Sequence, residues 1–373
     1  MSEGNETPIS SSPAQAEVPA LQADDVSVES LLRDLVEIPS ASTQEAEAVG
    51  YLVNWMIAYG AVDAFSDEAG NAVGIFGSTD PTARQIVLLG HIDTFGAALP
   101  VHLEGRRLYG RGTVDAKGSL CTFAAAAARA VLPPDTRVIV IGAVEEEAPS
   151  SKGARFAATQ YQPAICLIGE PSNWDRITLG YKGRLLIDWR WRGGLGHSAG
   201  QIDTPAEHAF AAWERVRALV DRHNAGRDKV FGRLDATLQA VNTGMDGIYG
   251  WAEMIVGFRL PPGTEPEVFA AELEPQDANV TQRTFGMERA IVADKDTALT
   301  RALRGAIRQE GGTPAFVHKT GTSDMNIVGR LWNCPIAAYG PGDSALDHTP
   351  EEHIDLDEYL RAVRVLTHTL ERL

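Results

Sequence analysis

Cysteine is scarce: Cys121, Cys166 and Cys334 are an odd number, lie far apart and form no C-x-x-C pair. That pattern excludes a disulfide framework and a thiolate zinc or redox centre, and the three read as free thiols in a reducing compartment. Long apolar runs are also missing. The longest, Val138 to Val144 and Cys121 to Leu132, fall short of the ~20 residues that cross a bilayer, so no membrane span is expected. Residues 1–27 lack Lys, Arg and an apolar middle, which excludes a secretory leader; they read as a disordered acidic tail, and the protein is placed in the cytoplasm. Positive charge is short as well. With 33 Lys and Arg against 50 Asp and Glu, the net charge of -17 argues against nonspecific nucleic-acid binding. What is present is ordinary for a globular protein: 373 residues, 44% hydrophobic and 22% charged, enough for a sizeable core.

Apolar residues recur at helical spacing from Val28 to Leu35 and from Glu45 to Tyr59. Short β-rich runs follow at Ala72 to Phe76, Gln85 to Leu89, Arg137 to Val144 and Ala164 to Ile168, with an Ala-rich helical stretch, Leu120 to Ala130, among them. Strands alternating with helices predict an α/β layered unit with a central mixed sheet. After Gly183 the texture changes. Strands over Leu185 to Trp191 and Ala252 to Leu260, with helices over Pro205 to His223 and Pro266 to Leu273, suggest an inserted smaller α/β unit. Helix and strand alternation resumes near Asp294, in Thr297 to Gln309, Ile336 to Tyr339 and Leu356 to Leu373. The expected organisation is therefore residues 28–182 and 292–373 as one unit, with 183–291 inserted as a second, smaller one.

Several predicted strands of the first unit end in acidic or imidazole groups, where open α/β sheets place their sites. His91-Ile92-Asp93 follows one strand, Glu145-Glu146-Glu147 another and Glu170 a third; Asp115 precedes the Ala-rich helix, and His348 sits in a late loop. Clustered carboxylates raise one another's pKa, and a bound cation relieves the conflict. Imidazole and carboxylate donors suit zinc or a similar divalent ion, and a shared carboxylate can hold two ions ~3.5–4 Å apart.

The ordered motifs G-H-x-D-T, G-R-G-x-x-D-x-K-G, E-E, G-E-P-S and G-P-G…H-T-P-x-E resemble those of the dinuclear-zinc amidohydrolases, the group of acetylornithine deacetylase and succinyl-diaminopimelate desuccinylase. The resemblance covers almost everything after the tail and implies a catalytic unit plus a lid that mediates dimerisation. Residue by residue, it makes His91 and Glu170 ligands of one ion, Glu147 and His348 ligands of the other, and Asp115 the bridge. Zn2+ is implied, with Co2+ an alternative. Asp93 would accept the ring N–H of His91 and fix its tautomer. The glutamate run admits a shift by one position; aligned with the family's adjacent pair, Glu146 is the base and Glu147 the ligand. Glu146 would take a proton from water activated by the metals and hand one to the leaving amine. His197 matches a histidine that reaches the partner subunit's site and supports the oxyanion.

Arg259 matches an arginine that binds a substrate carboxylate, although Gly257 stands where the family has Asp, and Asn242 matches an asparagine that holds substrate or oxyanion. The segments around Lys182 and from Lys319-Thr320 to Asn326 resemble one branch of the family. That branch releases lysine or ornithine from the C-terminal glutamate of an acidic amino-group carrier protein, in lysine and arginine biosynthesis. Lys182, Arg184, Arg190, Arg192 and Lys319 are the positive charges expected to meet such a carrier. Two other readings stand beside this one: deacylation of acetylornithine or another small N-acyl amino acid, and a noncatalytic binding protein on the same fold.

Overall fold

The computed structural model describes residues 20–194, 196–197, 200, 202–275 and 277–373. Its frame is a mixed sheet in the order Asp63–Ser66, Ala72–Gly77, Thr136–Ala143, Arg84–His91, Ile165–Gly169, Ile336–Ala338, Arg176–Tyr181 and Ile291–Val292, with Ala315–Lys319 also paired to Arg176–Tyr181. From Thr136–Ala143 to Ile336–Ala338 the neighbouring strands are all parallel. Such strands are buried on both faces, and their residues divide accordingly. Ile86, Leu88, Val138 and Val140 enter one core with the helices Asp25–Glu37, Ala46–Ala58, Lys117–Arg129 and Leu356–Leu370. Val87, Leu89, Ile139 and Ile141 face the opposite core with the helices Lys152–Gln160 and Met325–Leu331. The expected α/β class and central mixed sheet are therefore observed.

The first helix begins at Asp25, three residues inside the segment read as tail. Asp24 explains the earlier start: its side chain accepts from Ser27 N and caps the helix, while Leu21 N donates to Ala58 O. Residues 1–19 of the expected tail lie outside the described residues. No helix among the described residues is long and apolar enough to cross a membrane.

Residues 183–288 build a separate antiparallel sheet, ordered Asp235–Met245, Tyr249–Leu260, Gly183–Gly194 and Val280–Glu288. Tyr249–Leu260 alternates between half-buried or exposed and buried positions, and its inward Ala252, Met254, Val256 and Phe258 pack with Ala209, Ala212 and Leu219 of the helix Pro205–Asn224. Two crossings join the sheets, one at Lys182 and one at Arg289-Ala290. A single buried amide ties both: Asn326 Nδ2 donates to Lys182 O (3.0 Å) and Arg289 O (2.8 Å).

Candidate metal centre

The parallel order of the central strands brings their carboxyl ends to one edge of the sheet. There His91 closes Arg84–His91, Glu145 to Glu147 follow Thr136–Ala143, and Glu170 follows Ile165–Gly169. Asp115 arrives from the loop before Lys117–Arg129. His348 arrives from the turn after the short helix Ser344–Leu346, with φ of 61°.

One ligand atom each from His91, Asp115 and Glu170 lie within 4.8 Å of one another, and the same holds for Asp115, Glu147 and His348. Asp115 belongs to both groups. Its Oδ1 lies 3.2 Å from His91 Nε2 and its Oδ2 3.0 Å from His348 Nε2, which is also 3.0 Å from Glu147 Oε1. A further group joins His91, Glu146 and Glu147. Burial, reinforced by Glu146 and Asp115, pushes Glu170 well above the carboxylate range. Burial does the same to Glu146; His91 opposes it, and Asp324, Glu147 and Asp115 add to it. Packed carboxylates that resist ionisation, interleaved with imidazole nitrogens, are the donor set a divalent cation stabilises. The residues present therefore fit a pair of ions sharing Asp115.

The surrounding bonds fix these side chains. His91 Nδ1 lies 3.0 Å from the Asp93 carbonyl and 3.4 Å from its Oδ1, so the backbone shares the orienting task expected of the carboxylate alone. The Asp93 carboxylate accepts from Glu146 N (3.0 Å), Glu147 N (3.1 Å) and Ser42 Oγ (2.7 Å), positioning the glutamate pair. Glu145 takes another course. It adopts φ of 57°, accepts from Ser150 Oγ and falls in none of the three groups.

Sequence reasoning gave Glu352 no role beyond its place in the H-T-P-x-E motif. This buried carboxylate accepts from Gly112 N (2.9 Å), Val114 N (3.0 Å) and Asp115 N (3.2 Å), and from Arg111 Nη1 (2.7 Å). It thereby shapes the loop that presents Asp115. Gly112, at φ +85°, must be glycine there, since a Cβ would stand 2.7 Å from Thr94 Cγ2. The available signal was the pairing of an Arg inside G-R-G with a Glu just after the late histidine.

A cavity of about 530 Å³ opens over the centre. Asp115, Glu146, Glu147, Glu170 and His348 line its floor, while Arg184, Leu186, Gln239 and Arg259 reach it from the small sheet. Lys319 and Thr320 lie in its wall, with Lys319 Nζ bonded to Ser344 Oγ. Arg259 finds support without the family's aspartate, because Nη1 donates to Thr322 Oγ1 at 2.9 Å. Gly257 leaves room for Gln239, whose Nε2 would be 2.7 Å from a Cβ there.

Two expected participants are not in this cavity. Asn242 is exposed on the edge strand Asp235–Met245; the irregular pairing between Leu238 and Ala240 brings Gln239 to the wall instead. His197 is exposed beyond the strand Gly183–Gly194 and does not line its own chain's site. Lys182 also differs from expectation. It is wholly buried, its Nζ bonded to Arg233 O and Asp235 Oδ2, so its charge is spent inside the fold. Arg190 and Arg192 are exposed but ion-paired, with Asp188 and Glu253 and with Asp246 respectively.

Residues 87–372 match the sequence profile of peptidase family M20/M25/M40. A Deinococcus radiodurans protein named LysW-lysine hydrolase is 50% identical over 353 residues, covering 92% of this chain and 96% of that one. A Thermococcus kodakarensis protein named putative LysW-lysine/LysW-ornithine hydrolase is 38% identical, covering 92% and 91%. Among solved structures, the M20 metallo-carboxypeptidase Sso-CP2 of Sulfolobus solfataricus superposes with a TM-score of 0.73 at 17% identity, covering 92% and 98%. Human carnosine dipeptidase 1 does so at 0.72 and 15%, covering 93% and 96%.

Proposed function

Because this chain belongs to peptidase family M20/M25/M40, we propose that it hydrolyses the amide joining lysine or ornithine to the C-terminal glutamate of an acidic amino-group carrier protein. The observation that carries the chemistry is the pair of His and carboxylate groups sharing Asp115, with Glu146 beside them. The 50% identity to a LysW-lysine hydrolase carries the substrate.

Enzymes of this family are metal-dependent. In the arrangement that the geometry supports, His91 and Glu170 hold one ion, Glu147 and His348 the other, and Asp115 both. Zn2+ suits the mixed imidazole and carboxylate set, and Co2+ is an acceptable substitute. When bound, the ions supply Lewis acidity, which polarises the scissile carbonyl and acidifies water. Glu146 is the base: it takes the proton of the attacking water and returns one to the leaving amine. Its burial favours a carboxyl group able to hold that proton between the two steps. Asp93 keeps Glu146 and Glu147 in place through their backbone N–H groups.

Arg259, Lys319 and Thr320 bind the carboxylates of the conjugate, Arg259 by its planar fork. Arg184, also in the wall, adds to the positive field that an acidic carrier meets. Residues 183–291 act as the lid, and the protein works as a homodimer. The exposure of His197 and Asn242 away from their own chain's cavity supports their delivery to a partner's site, where His197 stabilises the oxyanion. Three free cysteines, two of them buried, suit a cytoplasmic setting.

The test is release of lysine and ornithine from carrier conjugates, alongside N-acetylornithine, by metal-reconstituted protein and by Glu146→Ala. Turnover of a conjugate, abolished in the variant, is the expected result. Turnover of N-acetylornithine alone would keep the chemistry and discard the carrier.

A further inference from the structure

Among the described residues five carboxylates line the cavity: Asp115, Glu146, Glu147, Glu170 and Asp347. Metal binding accounts for Asp115, Glu147 and Glu170, and proton transfer for Glu146. Asp347 is left over. Among the described residues it falls in none of the candidate cation-binding groups, and its buried Oδ1 has no hydrogen-bond partner. Among the described residues no ion pair joins it to Lys319, whose ammonium group is bonded to Ser344 Oγ.

We propose that Asp347 receives the side-chain ammonium group of the amino acid being released, and so selects a cationic residue over a neutral one. This rests on the hydrolase reading above. A carboxylate with one oxygen left without a donor is unfavourable, and because Asp347 also lines the cavity, a cationic ligand there offsets that cost. The rest of the cavity's unassigned charge is positive, from Arg184, Arg259 and Lys319, which match the substrate's carboxylates. A single negative group among them matches a substrate carrying one cation beside its anions. The turn does not need this side chain: Leu346 N donates to Asp343 O (2.9 Å), Ala345 N to Asp343 Oδ1 (2.9 Å) and Thr349 N to Leu346 O (3.1 Å).

The experiment compares kcat/KM for carrier conjugates of lysine and of norleucine, its neutral analogue, in wild type and Asp347→Asn. Wild type is expected to prefer lysine, and the variant to lose that preference at least roughly thirtyfold, the scale of a charge-assisted bond. A general loss of activity cancels in the ratio. A ratio equal in both proteins overturns the proposal. Should the variant not fold, inhibition of wild type by free lysine and free norleucine decides instead: tighter lysine supports Asp347, and equal inhibition overturns it. If no conjugate turns over but N-acetyl amino acids do, the carrier reading has failed. The same ratio, measured on Nα-acetyllysine and Nα-acetylnorleucine, then still tests Asp347.

Discussion

Glu352 offers a sharp test of how Asp115, the proposed bridge, is held. Replacing it with Gln conserves shape but exchanges one carboxylate oxygen for an NH2 group. Its carboxylate now accepts three backbone N–H groups at 2.9–3.2 Å and Arg111 at 2.7 Å, with none of the side chain exposed. One amide oxygen cannot serve both sides. Either the Arg111 pair is lost or the Asp115 loop faces a donor instead of an acceptor. Breaking a buried ion pair costs about 3–5 kcal/mol, and the remaining N–H bonds lose their charge assistance. Arg111 is 11% exposed and recovers part of its hydration, so the expected destabilisation is about 3 kcal/mol. Urea unfolding of the metal-free protein measures it. Because the proposed arrangement has Asp115 serve both ions, metal affinity in chelator competition should fall about 10- to 100-fold. Stability within about 0.5 kcal/mol of wild type together with unchanged affinity would refute the reasoning.

Other substitutions separate the roles at the centre. Glu146→Ala should keep both metals, counted by elemental analysis, yet lose roughly 10²–10⁴-fold in kcat; metal loss would recast Glu146 as a ligand. Asp115 and Glu147 hold the His348 proton up to a pKa of about 10, so a metal binding near neutrality must displace it. Affinity should therefore rise with pH below that value, by up to about tenfold per unit, with proton release visible by calorimetry in buffers of different ionisation enthalpy. A pH-independent affinity would exclude this competition. Asn326→Ala removes the bonds to Lys182 O and Arg289 O, and should cost about 2–4 kcal/mol in denaturant unfolding. Gly112→Ala should cost at least ~1–3 kcal/mol by the same measurement, from its positive φ and the contact with Thr94.

The large sheet was legible because its strands are short apolar runs that stop at chemically loaded residues, as Ile86 to Leu89 stops at His91. The candidate donor cluster was legible in part for the same reason, since His91, Glu147 and Glu170 stand at or just after strand ends that the parallel order gathers together. Three features escaped. Asp24 moved the first helix back to Asp25 through a cap that apolar spacing does not register. The irregular pairing after Leu238 goes with Gln239 in the cavity wall, and a one-residue irregularity in an edge strand leaves no mark in an alternation pattern. Glu352 and Asp347 act through contacts with residues more than 200 positions away or through an open cavity, which spacing along the chain does not encode.

The two sheets also divide the work. Every group assigned to metal binding and proton transfer comes from the unit built on the large sheet, whereas Arg184, Gln239 and Arg259 enter the cavity from the small one. Selection can therefore act on them almost independently. On the proposed roles, substitutions at Arg184, Gln239 or Arg259, or in the 319–322 wall, would change which substrate is accepted while leaving in place the groups assigned to metal binding and proton transfer.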